Sequence, residues 1–368
     1  MTMPQIPQTI DELTPRWLTG ALRSRGNLGT GSVVSSEATL LSDGKSVGFL
    51  GIVARLALVY DGPQAAAPPS LIVKLPSLDP AIREVTRPLH IYEREVRFYE
   101  RAASDPGLPV PRCWYGDMDL DADRFILLIE DVAPGRTGDQ LAGCTAEDAR
   151  RVVLALARFH ASWWQHADLP AFDWLFPVND QRQKVLQQRF QEAWPKFLEH
   201  WRDLLSPEVV DIGEAYFRSM DWLLDRIFEM PHTIQHADLR LDNLLFGSDD
   251  LGSDVTIIDW QAPTCGGGML DVGYFLSQSL AVDVRRAHEQ ELVRLYYDTL
   301  LQHGVHDYSW DQAFRDYRMG ALWGLLLPVW GTGNLDLTND RALSLFEALV
   351  IRCSAALLDL NARELLPA

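Results

Sequence analysis

Apolar positions along this chain follow a helical rhythm at first and change to a strand rhythm near residue 35. Leu13, Trp17, Leu18 and Leu22 share one helical face behind Thr9 and Glu12, which stand at capping-box spacing, so a short N-terminal helix is predicted. Ser35 to Leu41, Val47 to Tyr60 and Ser70 to Leu75 then read as strands separated by Gly- and Pro-rich turns, and together predict an antiparallel sheet. In IYEREVRFYE the spacing of Ile91, Glu95 and Phe98 predicts a helix that turns Glu95 inward with its apolar neighbours. RFILLI, Arg124 to Ile129, reads as a further strand. It breaks into APGRTGDQLAGCT, a composition typical of a domain boundary, so an N-terminal lobe of sheet and helix is expected over 1–131 and a larger lobe over 132–368.

From Thr145 onward helix follows helix. Val152, Leu156, Phe159 and Trp163 share a face, and His160 beside them reads as a packing histidine, since no second His or Cys stands at metal spacing. Pro195 should kink the first long helix, while Ser206 and Pro207 start the next as N-cap and first helical residue. The aromatics of residues 170–230, among them Trp194, Phe197, Trp201, Tyr216 and Phe217, recur with a period near four and are expected mostly in a core. The reading is an α+β chain with two lobes.

Composition narrows the function classes. The 368 residues exceed one small core, and 47% hydrophobic with 23% charged content is ordinary for a folded protein. A net charge of −18, with 51 acidic against 33 basic residues and no Lys/Arg cluster, disfavours nucleic acid and anionic membrane as partners. Cys113, Cys144, Cys265 and Cys353 lie far apart without a CxxC pair, so neither a zinc site nor a disulfide framework is expected and a reducing cytoplasm fits. The first residues lack a signal-peptide layout, and the apolar stretch Ala321 to Trp330 is short and interrupted by Pro328, so no membrane association is expected.

The chemistry concentrates in Thr233 to Gln261, TIQHADLRLDNLLFGSDDLGSDVTIIDWQ. His236, Asp238, Arg240 and Asn243 fall in one loop with the HxDxxxxN spacing of a kinase catalytic loop, and Val255 to Ile258 reads as a strand delivering Asp259. Phosphoryl transfer needs such a set. Asp238 can accept the proton of an attacking hydroxyl, while Asn243 and Asp259 can hold Mg2+ against the phosphates of ATP. Arg240 has two readings: a fixed charge on the transferring group, or a salt bridge to Asp242.

The nucleotide side is read from two features. Lys74, one of four lysines in the chain, interrupts the apolar strand LIVKL; a buried ammonium needs a partner, and Glu95 on the following helix can orient it toward the α and β phosphates. A sheet-edge lysine that discourages aggregation is the alternative. Gly44, Gly48 and Gly51 lie between the first two strands, where the turn Ser46, Val47 and Gly48 can approach phosphate; a plain β-turn explains Gly44 equally well.

HADLRLDNLLF and IIDWQ resemble the aminoglycoside phosphotransferase and choline kinase superfamily, most closely its ecdysteroid kinase-like branch. The resemblance implies a bilobal protein kinase-like fold, ATP and Mg2+, Glu95 as the lysine's partner, and a hinge at Glu130, Asp131 and Val132 whose backbone meets the adenine. It also implies that Asp271 braces the catalytic loop, although an ordinary helix-cap aspartate suits the same position, and that His236 supports the loop. Ala237 replaces the glycine usual in the superfamily. Only WQAPTCGGGML separates Asp259 from Asp271, too little for the peptide-docking segment of a protein kinase, so the expected partner is a small-molecule alcohol. An apolar or steroid-like alcohol leads as acceptor. An aminoglycoside or hydroxyacyl-thioester kinase, and a catalytically silent nucleotide- or ligand-binding scaffold, are the alternatives.

Overall fold

The structure is a computed structural model that describes residues 5–42, 51–63, 66–103, 108–132, 136–247, 255–335 and 337–367. Ser46, Val47 and Gly48 of the glycine turn therefore lie outside the described residues. Two compact units form: Met1–Ala133 with Ile258–Gln261, and Pro134–Ile257 with Ala262–Ala368.

In the first unit, α1 (Pro15–Ser24) starts later than the capping-box spacing suggests. Its cap is Thr14, whose hydroxyl accepts the Trp17 N–H, and Pro15 takes the first helical position, where a missing N–H costs nothing. Thr9 instead precedes the single 3₁₀ turn Ile10–Glu12 without a side-chain cap bond, and Glu12 accepts from the Gln8 N–H at 2.8 Å. Strands β1 (Val33–Ser42), β2 (Gly51–Tyr60) and β3 (Ser70–Pro76) follow, then helices α2 (Pro80–Thr86) and α3 (Ile91–Arg101), and strands β4 (Cys113–Asp119) and β5 (Arg124–Glu130). They build one antiparallel sheet in the order β1-β2-β3-β5-β4. Strand β4 has no counterpart in the sequence reading, because Gly116, Asp117 and Asp119 dilute its apolar pattern.

Strand β3 is central, and Lys74 sits opposite Val53 on β2 and Leu127 on β5. That register excludes the edge-lysine alternative. Val73 and Leu75, its neighbours on the opposite face, pack with Trp17, Leu18, Leu22, Ala54, Leu56 and Ile126 in the core beneath α1. Lys74 therefore projects from the other face of the sheet.

The second unit is helical, as expected. Its elements are β6 (Arg136–Thr137), α4 (Ala146–Ser162), α5 (Gln181–Trp201), α6 (Pro207–Arg218), α7 (Met220–Phe228), β7 (His232–Gln235), β8 (Leu244–Phe246), β9 (Val255–Ile257), β10 (Thr264–Gly267), α8 (Met269–Ser279), α9 (Val282–Gln302), α10 (Trp310–Trp323), α11 (Leu326–Asn334) and α12 (Asp340–Asp359). Ser206 caps α6 with Pro207 at its first position, and Pro195 lies inside α5. Trp194, Phe197, Trp201, Tyr216 and Phe217 join Leu322, Phe346 and Leu349 in one core. The apolar stretch from Ala321 is divided between α10 and α11, and among the described residues no helix is long and apolar enough to cross a membrane.

Helix α8 is buried on every side, so its position is set by close packing rather than by an amphipathic face. Its crossing with α10 depends on two glycines. A Cβ on Gly273 would meet the Tyr317 carbonyl oxygen at 2.4 Å, and one on Gly320 would meet the Met269 carbonyl oxygen at 2.7 Å. The two backbones touch with no room for a methyl group. This contact fixes the helix that carries Asp271, whose carboxylate holds the loop at His236 and Ala237.

Candidate active site

The candidate residues form two sets, one in each unit. In the first, Lys74 Nζ lies 2.5 Å from Glu95 Oε1 and 2.6 Å from Asp259 Oδ1. Helix α3 brings Glu95 there because Ile91, Glu95 and Phe98 share its inward face, and only 3% of the Glu95 side chain is exposed. Strand β9 ends at Ile257, and the next four residues group with the first unit, with Asp259 in a left-handed conformation (φ 66°). The Trp260 ring anchors them: it is fully buried and stacks on Phe98 at 4.0 Å between centroids.

The electrostatics of this set are coupled. Burial alone would lower the pKa of the Lys74 ammonium, but the charges of Asp259 and Glu95, with hydrogen bonds to both, outweigh it and raise the group above its ordinary value. Burial pushes the Glu95 carboxyl up, and the nearby Asp259 charge adds to that, against the opposing pull of Lys74. One ammonium thus holds two carboxylates that would otherwise repel each other. At the end of β5, Glu130 exchanges two hydrogen bonds with the Arg112 backbone, its N–H donating to the carbonyl at 2.8 Å and its carboxylate accepting the N–H at 3.0 Å. Asp131 accepts from Arg55 Nε at 2.8 Å, and Val132 follows, half-buried. The carboxylates of Glu130 and Asp131 are thus engaged within this unit.

The second set occupies the loop after β7. The N–H groups of His236 and Ala237 both donate to Asp271, at 2.7 and 2.9 Å, and Ala237 has φ 64°. An alanine in that region is strained, and the two bonds hold it there. The Asp238 N–H reaches His236 Nδ1 at 3.3 Å, and Asn243 Nδ2 donates to the Asp238 carbonyl at 3.0 Å. With its NH2 group so used, Asn243 presents its amide oxygen as the remaining acceptor, the donor type a hard cation selects. Among the described residues no three His, Cys, Asp or Glu cluster as a metal cage; magnesium bound largely by phosphates and water needs none.

Arg240 shows a partner that the sequence reading did not weigh. Its Nε lies 3.1 and 3.3 Å from the two carboxylate oxygens of Asp238, whereas Asp242 is 3.8 Å from its Nη1. Tyr274, also missed, donates its hydroxyl to Asp238 Oδ1 at 3.1 Å. The signal for it was present, since Tyr274 follows Asp271 by three positions on one helix. Gln140 accepts the Leu241 N–H at 2.7 Å, and Arg352 donates to the Gln140 and Gln278 carbonyls at 2.8 and 3.0 Å. No local pattern marks those two. His160 does more than fill space: fully buried, it lies 2.7 Å from the Tyr296 hydroxyl through Nδ1 and 3.4 Å from Asp271 through Nε2.

Solved structures define the class of fold. A putative aminoglycoside phosphotransferase from Ralstonia eutropha JMP134 matches with a TM-score of 0.51 at 16% identity, covering 94% of this chain and 97% of that one. Amicoumacin kinase hAmiN, in complex with AMP-PNP, Ca2+ and Ami, matches with a TM-score of 0.53 at 14% identity over 86% of this chain and 87% of that one. At such identities the likeness is one of fold: a kinase-like chain with an N-terminal antiparallel sheet and a helical C-terminal region. Within that class the chain belongs to the ecdysteroid kinase-like family, whose sequence model matches residues 45–306. The uncharacterized kinase-like protein D1044.1 of Caenorhabditis elegans is 24% identical over 234 residues, a match that spans 61% of this chain and 61% of that relative's length.

Proposed function

We propose that this chain is a small-molecule O-phosphotransferase that moves the γ-phosphoryl group of ATP to the hydroxyl of an alcohol. The observation that carries the reading is Lys74 set between Glu95 and Asp259, because it unites the phosphate-binding lysine with the second half of the catalytic motif. A nucleotide-binding scaffold accounts for that triad but not for Asp238, which stands in sequence at the spacing of a general base.

In this reading Asp238 orients the acceptor hydroxyl and takes its proton, a contribution of about 10²–10⁴-fold for general-base catalysis. Arg240 holds that carboxylate and supplies fixed positive charge during transfer. Lys74, oriented by Glu95, receives the α and β phosphates; the turn Ser46, Val47 and Gly48 approaches phosphate; and the backbone of Glu130 to Val132 meets the adenine. Asn243 through its amide oxygen and Asp259 through its carboxylate would hold magnesium, which when bound neutralises charge on the β and γ phosphates. His236 and Asp271 keep the loop in shape.

For the acceptor we propose an apolar, steroid-like alcohol, on the strength of membership in the ecdysteroid kinase-like family. The aromatics of the second unit add less than their number suggests, since Trp174, Trp194 and Trp201 are buried in its interior. The net charge of −18 supports a cationic aminoglycoside as the second reading. The four cysteines are free, in keeping with the cytoplasmic location we propose.

The test is ADP release from Mg-ATP against steroid alcohols, aminoglycosides, choline, sugars and hydroxyacyl thioesters, with Asp238→Ala as control. An acceptor whose turnover disappears in the control establishes the activity and names the class. Equal turnover by Asp238→Ala removes the base assignment, and the absence of both turnover and a Mg-ATP thermal shift removes the kinase reading.

A further inference from the structure

We infer that Tyr274 is a positioning residue for Asp238, and that the first two turns of α8 brace three consecutive residues of the catalytic loop; the inference rests on the phosphotransferase reading. Asp271 and Tyr274 stand three positions apart and so share a face of α8. The Asp271 carboxylate takes the N–H groups of His236 and Ala237, at 2.7 and 2.9 Å, and the Tyr274 hydroxyl donates to Asp238 Oδ1 at 3.1 Å. Backbone is held at two residues and the side chain at the third.

The brace is rigid because its own supports are. Tyr274 is buried, so its hydroxyl would carry a desolvation cost without a partner, and the Asp238 carboxylate supplies one. The glycine crossing of α8 with α10 leaves no space for the helix to shift. Behind Asp271, the buried His160 lies with Nε2 3.4 Å from the carboxylate and Nδ1 2.7 Å from the Tyr296 hydroxyl, so its ring fills the space on that side.

The geometry also distinguishes the two oxygens of Asp238. Among the described residues, Oδ1 accepts from both Tyr274 and Arg240 at 3.1 Å, while Oδ2 has the longer Arg240 contact, at 3.3 Å. Oδ2, the less engaged oxygen among the described contacts, is assigned to meet the acceptor. In the transfer, the acceptor oxygen bonds to the γ-phosphorus, the bond from phosphorus to the β,γ-bridging oxygen breaks, ADP leaves with that electron pair, and the hydroxyl proton passes to Oδ2. Tyr274 acts by keeping Oδ1 occupied and the carboxylate plane fixed, as near-attack geometry demands.

Tyr274→Phe keeps the ring and removes only the hydroxyl. The measurement is single-turnover ADP formation from Mg-ATP with the alcohol that serves in the panel, or with water where none does. The expected result is a fall in rate of about ten- to a hundredfold, with KM for Mg-ATP within about twofold of wild type and the Mg-ATP thermal shift retained. In an Asp238→Ala background the same substitution is expected to change the rate by less than about twofold, because its target is gone. A merely structural role would instead carry the full loss into both backgrounds, and that result overturns the inference. Wild-type rates in Tyr274→Phe overturn it as well while leaving the phosphotransferase reading intact. A wild-type protein that forms no ADP and shows no Mg-ATP thermal shift overturns that reading, and the inference with it.

Discussion

Lys74 Nζ lies 2.6 Å from Asp259 Oδ1, across 185 positions of sequence, and 2.5 Å from Glu95 Oε1 on its other side. The ammonium separates two carboxylates, one of them fully enclosed. In this state Asp259 is engaged by the lysine.

Lys74→Met removes the ammonium that lies between Glu95 and Asp259. Removing one member of a buried ionic set costs about 3–5 kcal/mol where the remaining charge cannot relax, and protonation of Glu95 offers relaxation here, so a loss of about 2–4 kcal/mol near pH 8 is expected. The Glu95 carboxyl already lies above its ordinary range in the folded chain, so the folded state binds that proton more tightly than the unfolded one. The stability linked to it is present below the unfolded value near 4.3 and is lost as pH rises through the folded value. Lys74, raised as well, remains charged throughout this window. Melting the variant from pH 8 to pH 5 should therefore narrow its deficit against wild type; a deficit independent of pH would contradict the account.

Asp259→Ala is expected to weaken Mg-ATP binding about tenfold or more, through loss of a carboxylate ligand. Titration with and without EDTA checks it. Chelating magnesium should reduce wild-type binding toward that of the variant, and a variant that responds to EDTA as strongly as wild type would remove Asp259 from the metal site.

Gly273→Ala inserts a methyl group where the Tyr317 carbonyl oxygen and the Ala321 nitrogen lie 2.4 and 2.5 Å from the new carbon. Backbone cannot rotate aside as a side chain can, so α8 and α10 must separate, at a cost of about 2–3 kcal/mol. Because α8 carries Asp271 and Tyr274, turnover should fall even at temperatures where the variant remains folded. Thermal melts and ADP release, measured together, test both halves.

Asp316 is buried, accepts from the Tyr308 hydroxyl at 2.8 Å, and has its carboxyl pushed up to about 6 by burial. A raised carboxyl favours the folded state below the unfolded value near 3.9, and that advantage is lost as pH rises through 6. Asp316→Asn removes the titration, so the melting temperature of the variant relative to wild type should climb between pH 4 and pH 7.5, by the equivalent of about 1–2 kcal/mol. A constant offset across that range would place the ionisation elsewhere.

Much of the candidate site could be read without a structure, because its signals are local. A lysine interrupting an apolar strand has to be accommodated, and helical spacing turns Glu95 to the same side as Ile91 and Phe98. The order His236, Asp238, Asn243 lies within one loop, where spacing alone carries the chemistry. Local signals also compete. Two capping threonines precede the first helix, and Thr14 wins over Thr9 because Pro15 predisposes the next residue to start a helix.

The sequence alone therefore determined the residue types, the alternation of sheet and helix apart from β4, and which faces of α3 and β3 turn inward, since the periods of 3.6 and 2 are properties of the backbone. Tertiary structure decided the partners. That Lys74 occupies a central strand, that Arg240 takes Asp238 before Asp242, that Tyr274 and not another residue of α8 reaches the same carboxylate, and that Gln140 and Arg352 support the loop all depend on how strands and helices pack. Hydrogen bonds form or fail within a few tenths of an ångström, and that precision comes from close packing such as the glycine crossing of α8 and α10, which no spacing along the chain encodes.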